Sequence, residues 1–288
     1  MSVILTESTL DLPREILSAH PCISVMPMDF TFGDERVYDI AGETDNHLYY
    51  DRIRAGETAH TSQFNMEYLK NAFRKHLDAG EDILYLGFDS ALSGTCSNAF
   101  CVANELREEY PDRKIACVDC MLPCMAQGTV VLETAKRLEA TGEDVNALAA
   151  FAEEFRTKCH AWFTVEDLIY LKRGGRISAA AAAMGNMLNI KPILRVDAEG
   201  RLIPTIKERG RKRALKTLVD NMMKLSPDTN YPIMIGHADS LEDAQTVAAM
   251  VKEKTGVEPF AVDYIGLTIG SHAGPGTIAL FFVGSVRE

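Results

Sequence analysis

Continuous apolar runs separated by amphipathic stretches fill the first half of the chain. "SVILTE" (2–7), "EDILYLGFD" (81–89) and "KIACVD" (114–119) read as short buried strands. Strands covered on both faces lose the alternation of a half-exposed sheet. Around them, "LDLPREILSAH" (10–20), "SNAFCVANELREEYP" (97–111), "MAQGTVVLETAKRLEATG" (125–142) and "DVNALAAFAEEFRTK" (144–158) carry apolar residues at helical spacing. The pattern predicts an N-terminal parallel-sheet α/β/α domain over 1–157. From Phe30 to His60 it weakens, and "MDFTFGDERVYDI" (28–40) looks like an irregular hairpin excursion.

The second half reads differently, as an α+β domain over 158–288. "RISAAAAAMGNMLNIKP" (176–192) predicts a helix with Ser178 near its start and Pro192 just past its end. "ILRVDAEGRLIPTIKERG" (193–210) reads as a hairpin turning at Glu199-Gly200, followed by a helix from Arg211 to Leu225. Then come a strand in "YPIMIGHA", a helix in "LEDAQTVAAMVKEKTG", and paired strands in "FAVDYIGL" and "TIALFFVG".

Composition adds limits. With 47% hydrophobic and 25% charged residues over 288 positions, the chain can build a full core, which excludes disorder. No window approaches the roughly 18 apolar residues of a membrane span. "MSVILTEST" lacks the basic start of a signal peptide, so a cytoplasmic protein is expected. Seven cysteines include a CxxC in "CVDCMLPC" (Cys117, Cys120, Cys124), but no second CxxC or HxxxH accompanies it. Buried, inert thiols and no metal site are the expectation.

Charge is uneven. Residues 1–155 hold 12 basic against 27 acidic side chains, and the remainder 18 against 14. Residues 172–216 carry 12 of those basic residues against only Asp197, Glu199 and Glu208. Such a run is either a solvated face or a docking surface for an anionic partner. Nucleic acid is a poor fit, because the basic residues lack interleaved aromatics and the net charge is −11.

Candidate chemistry lies in hydroxyl-rich turns at helix starts. Ser93 in "DSALSGTCSNAF" sits in neither GxSxG nor SxxK, so nothing marks it as an activated nucleophile. It is either a helix cap or part of an anion site at a strand's carboxyl end. "LTESTLDLP" adds Thr6, Ser8 and Thr9, and "AHTSQF" adds Thr61, Ser62 and Gln63. Three such turns point to one shared anion pocket.

These segments resemble the DegV family of bacterial fatty-acid-binding proteins, in one order along nearly the whole chain. The matching blocks are "ILTESTLDLP", "TSQ", "SALSGTCSNA", "LKRGGRIS", "IKPIL" with "IKERGRKRAL", and "IGSHAGPGTIAL". The resemblance implies two domains with a long-chain fatty acid such as palmitate in a tunnel between them. Its carboxylate would be received by Thr61 and Ser93, with His272 close by. Thr6, Ser8, Ser62, Gly94, Gly274 and Gly276 would shape the supporting loops. The resemblance further implies that a separate ATP-dependent fatty acid kinase phosphorylates the bound carboxylate, feeding phospholipid synthesis. Arg176 and Arg209 would take part in that presentation. Two positions depart from the family pattern: Glu7 stands for the usual Asp, and Phe64 for the usual Pro after TSQ.

Energetics divide the labour. Burying roughly 14 methylenes at about 0.8 kcal/mol each gives on the order of 11 kcal/mol. A hydrogen bond to a charged group adds only about 1.5–3 kcal/mol. The tail therefore supplies affinity, and the hydroxyls fix where the head group stops. The Ala-rich stretch with Met184, Met187 and Leu188 is a candidate tunnel wall or an ordinary packed helix. The chain has neither a Walker motif nor a kinase Gly-rich loop, which fits a non-catalytic carrier. The rival from another class is a serine-dependent acyl hydrolase or transferase using Ser93 and His272.

Overall fold

A computed structural model describes residues 2–182 and 189–288. The first half runs β1 (Ser2–Glu7), α1 (Arg14–Ala19), β2 (Ile23–Met26), β3 (Met28–Phe32), β4 (Glu35–Asp39), α2 (Asn46–Arg54) and β5 (Ala59–Thr61). It continues with α3 (Met66–Asp78), β6 (Asp82–Gly87), α4 (Thr95–Glu109), β7 (Ile115–Asp119), α5 (Met125–Thr141) and α6 (Val145–Phe155). The second half runs β8 (Cys159–Thr164), α7 (Ile169–Arg173), α8 (Ala179–Ala182), β9 (Ile190–Val196), β10 (Leu202–Arg209) and α9 (Arg211–Lys224). It ends with β11 (Met234–His237), α10 (Leu241–Thr255), β12 (Ala261–Tyr264), α11 (Leu267–Ala273) and β13 (Ile278–Val283).

The first sheet is parallel, ordered β2-β1-β6-β7. β1 and β6 are buried along almost their whole length, as their unbroken apolar runs require. The second sheet is mixed, ordered β10-β9-β8-β13-β11-β12. Helices begin where the sequence places caps: Asn65 Oδ1 accepts from Tyr68 N at 2.8 Å, and Asp144 Oδ1 accepts from Asn146 and Ala147 N. Both halves share a core. α5 buries ten residues, and its cluster includes Ile4 and Leu86 of one sheet with Phe163 and Phe281 of the other. A helix apolar on nearly all sides fits only such a doubly covered position.

Three expectations change. The excursion is a third sheet, ordered β4-β3-β5, with α2 packed on it. Phe30, Phe32, Tyr50 and Ile53 pack with Ala238 and Leu267, so this unit docks on the second half. Pro192 lies inside β9 rather than beyond a helix; it sits one residue before Ile193, where register with β8 begins. Asn189, just before β9, has φ 63°. β12 and β13 do not pair with each other, because β11 lies between them, parallel to one and antiparallel to the other.

Ser178 does start a helix, accepting from Ala181 N at 3.1 Å. Met184, Met187 and Leu188 lie outside the described residues. Among the described residues, no helix is long and apolar enough to cross a membrane.

Candidate functional site

The carboxyl ends of β1 and β6 face the second sheet across a cavity of about 210 Å³. Open α/β sheets place ligands at this end of the strands. The walls are largely apolar: Met28, Phe88 and Leu92 from the first half meet Phe163, Leu171, Ile269 and Phe281 from the second. At one end Thr61, Ser62, Gln63, Ser93, Gly94, Arg176 and His272 form a polar mouth.

Each mouth residue has a local reason for its place. β5 pairs with β3, Thr61 opposite Phe30, which carries Thr61 over to α11. There Thr61 Oγ1 lies 2.7 Å from His272 Nε2. His272 sits in the last turn of α11. The start of α11 is held by Asp39, which accepts from Thr268 N at 2.7 Å. Tyr50 Oη donates to Ile265 O, also at 2.7 Å. Burial, then the charges of Arg176 and the His60 ring, lower the pKa of His272 to about 4. It is neutral at ordinary pH, so the Thr61–His272 pair can relay a hydrogen bond without bringing a charge.

Arg176 is half-buried. Its Nε donates to Leu92 O at 3.1 Å and its Nη1 to Gly174 O, and burial lowers its pKa. Among the described residues it bonds only backbone carbonyls, and no acidic side chain pairs with it. An unpaired guanidinium at the mouth of an apolar cavity calls for an anion. Arg176 therefore faces the cavity itself. Gly94 is the N-cap of α4, and Ser93 just before it accepts from Thr95 N at 3.3 Å through Oγ, which leaves its own proton free to donate.

Gly174 packs edge-on against this group. A Cβ there would lie 2.2 Å from His272 Nδ1. Gly174→Ala is expected to push the imidazole off Thr61 and weaken ligand binding while the fold melts near the wild-type temperature. A crystal structure or the His272 ring resonances would show the displacement; an unmoved ring would refute it.

Other sequence candidates sit elsewhere. Thr6 is fully buried, donating to Leu86 O at 2.8 Å and accepting from Gln127 at 3.1 Å, and does not line the cavity. Ser8 Oγ accepts from Met28 N at 2.9 Å, fixing the entry to β3. Of that loop, Thr9 reaches the wall. Gly274 and Gly276 adopt φ +84° and +79°, and a Cβ at Gly274 would strike the Tyr170 ring at 2.3 Å; they shape the exit of α11 without lining the cavity. Arg209 is exposed at the end of β10. Phe64 turns away from the cavity, stacking on Tyr68 in the first-half core. The thiols of Cys120 and Cys124 are buried and pushed well above their usual range by desolvation. Sequence reasoning missed Phe163, Leu171, Ile269 and Phe281, whose only signal was strand or helix periodicity.

Glu7, fully buried beneath the mouth, accepts from Phe88 N at 3.0 Å, Gln127 Nε2 at 3.1 Å and Tyr85 Oη. Burial raises its pKa to about 7 despite those bonds. The folded state thus holds a proton that the unfolded chain releases near pH 4.5. Its contribution to stability is full below that value and is lost as pH rises through about 7. Thermal melts from pH 5 to 8 should show this decline, and Glu7→Gln should flatten it; an unchanged slope would place the proton elsewhere.

Fold and site together define an α/β protein with a mostly apolar cavity between its sheets and a polar mouth. The chain belongs to the DegV family: the sequence model of that family of uncharacterised proteins matches residues 1–285. A DegV domain-containing protein of Clostridium perfringens is 39% identical over 290 residues, spanning 99% of this chain and 98% of that one. Among solved structures, the fatty-acid-binding DegV family protein of Streptococcus agalactiae is similar with TM-score 0.85 and 26% identity, covering 99% of each chain. DegV of Bacillus subtilis, a fatty acid binding protein, gives TM-score 0.82 and 27% identity over 98% of this chain and 99% of that one.

Proposed function

We propose that this chain binds a long-chain fatty acid in the cavity and holds its carboxylate at Thr61, Ser93, His272 and Arg176. One observation carries the reading: a half-buried arginine without an acidic partner lines the mouth of a largely apolar cavity, beside two hydroxyls. The fatty acids bound by relatives of the same fold support it. Residues 1–157 and 158–288 act as the two domains between which the lipid lies. Mass spectrometry of an organic extract of purified protein tests the reading directly. A stoichiometric fatty acid is expected; protein that carries none and takes none up would end it.

The lipid's acid end is then offered to a separate ATP-using kinase. Support comes from a second depression of about 210 Å³, which shares Thr61, Arg176 and His272 with the cavity. It adds His60, Arg173 and Ser271 on the outer side. A carboxylate at that shared wall is reachable from outside while its tail stays enclosed. With a cognate kinase, Thr61→Ala and Ser93→Ala are expected to lower acyl phosphate formation more than lipid content. Arg209→Ala should lower turnover and leave lipid content unchanged, whereas Arg176→Met should lower both. Wild-type turnover in the two hydroxyl variants would refute the head-group assignment.

The hydrolase reading gains nothing from the geometry. His272 Nε2 is engaged by Thr61, and Ser93 Oγ is in contact with Thr95 N.

A further inference from the structure

The two central strands of the second sheet wall the cavity with large and small side chains in alternation. On β13, Ala279 and Phe281 line it; on β8, Phe163 and Ala161 do. The register sets Ala279 opposite Phe163 and Phe281 opposite Ala161. Each rung therefore carries one ring and one methyl, and the ring changes strand from one rung to the next. The intervening residues, Ile278, Leu280 and Phe282 with Trp162, pack together in a different cluster on the other face of the sheet. The low points of the cavity wall are thus the two alanines, on a diagonal from Ala279 to Ala161.

β13 runs away from the mouth. Just before it, Thr277 lines the cavity and its Oγ1 donates to Ala273 O at 3.0 Å, next to His272. Ala279 follows, and Phe281 lies about 7 Å further along the strand. The next rung, Val283 opposite Cys159, is 2% and 1% exposed; both side chains belong to the apolar core and neither lines the cavity. Leu202 marks the same level from the other side of β8. Trp162 pairs with Arg195, so one step on Ala161 comes into line with Val196, whose partner on β10 is Leu202, another wall residue. Three strands therefore end the cavity at one level of the sheet.

We propose that the Ala161–Phe281 rung is the end stop for the tail, so that side-chain size there sets the longest fatty acid the protein buries completely. Up to the stop, each methylene taken out of water adds about fourfold in affinity. A methylene beyond it must stay in water or force the rung apart, and adds nothing. The inference rests on the fatty-acid reading and extends it, because it assigns the length limit to two residues that stand apart from the head-group mouth.

The test is a series of straight-chain saturated acids, from decanoic to eicosanoic, titrated by calorimetry into the delipidated full chain. Wild type, Ala161→Leu and Phe281→Leu are compared. In the wild type, affinity is expected to rise about fourfold per methylene and then level off at a break. Ala161→Leu adds three carbons at the rung and is expected to bring the break forward by about two to three methylenes. Phe281→Leu removes part of the ring and is expected to move it to longer acids; it keeps the test decisive if Ala161→Leu does not fold. The rise per methylene below the break should be the same in all three proteins. A break that stays in place, even where affinity falls by one factor at every length, would overturn the stop alone. A wild type that binds no acid of any length would overturn both the stop and the reading it rests on.

Discussion

Ala279→Phe is expected to leave a folded protein that no longer retains lipid. Ala279 is 5% exposed on β13, opposite Phe163, and its methyl forms part of the cavity wall. A phenyl ring there takes the space of roughly four methylenes, each worth about 0.8 kcal/mol of burial. The loss is about 3 kcal/mol, or roughly a hundredfold in affinity or more. Overpacking costs the fold about 1–3 kcal/mol at the same time. Titration with a fluorescent fatty acid, beside a thermal melt, separates the two effects. Affinity within about threefold of wild type would show that the cavity is not where the tail lies.

Gly270→Ala is expected to damage stability and site together. Gly270 is buried on α11, and a Cβ there would lie 1.9 Å from Tyr50 Oη and 2.7 Å from its Cζ. Tyr50 is fully buried and bonded to Ile265 O, so the ring has nowhere to swing. α11 must shift instead, taking His272 away from Thr61. A cost of about 2–3 kcal/mol follows from comparable overpacking. For a chain of this size that lowers the melting temperature by about 5–10 °C. Tyr50→Phe in the same background removes the closest atom and should restore part of the loss. A melt at the wild-type temperature would mean that the helix and Tyr50 are not in contact as described.

Much of the architecture is legible in residue order, and the reason is local. β1, β6 and β7 carry unbroken apolar runs, and α4, α5 and α6 carry helical periodicity, each within its own window. The candidate mouth is legible only in pieces. Thr61 and His272 are 211 positions apart, and nothing near either one names the other. Their meeting depends on the excursion docking through Phe30, Tyr50 and Leu267, whose weak local pattern hid both a sheet and α2. α2 escaped because its exposed face carries charged residues and its buried one only Tyr50 and Ile53. Pro192 misled for the opposite reason: proline ends helices by rule, but a strand tolerates it where register with its neighbour has not yet begun.

The doubly covered helix at the centre sets how cargo can come and go. Because Met125–Thr141 packs in the one apolar cluster that spans both sheets, swinging the sheets apart like a book would expose its ten buried residues. At about 1.5–3 kcal/mol for each large one, that motion is closed to a thermally driven protein. If the cavity holds a fatty acid as proposed, loading and release would proceed through small displacements of the mouth around Gly94 and Gly174, so exchange rates should track substitutions there and ignore the hub.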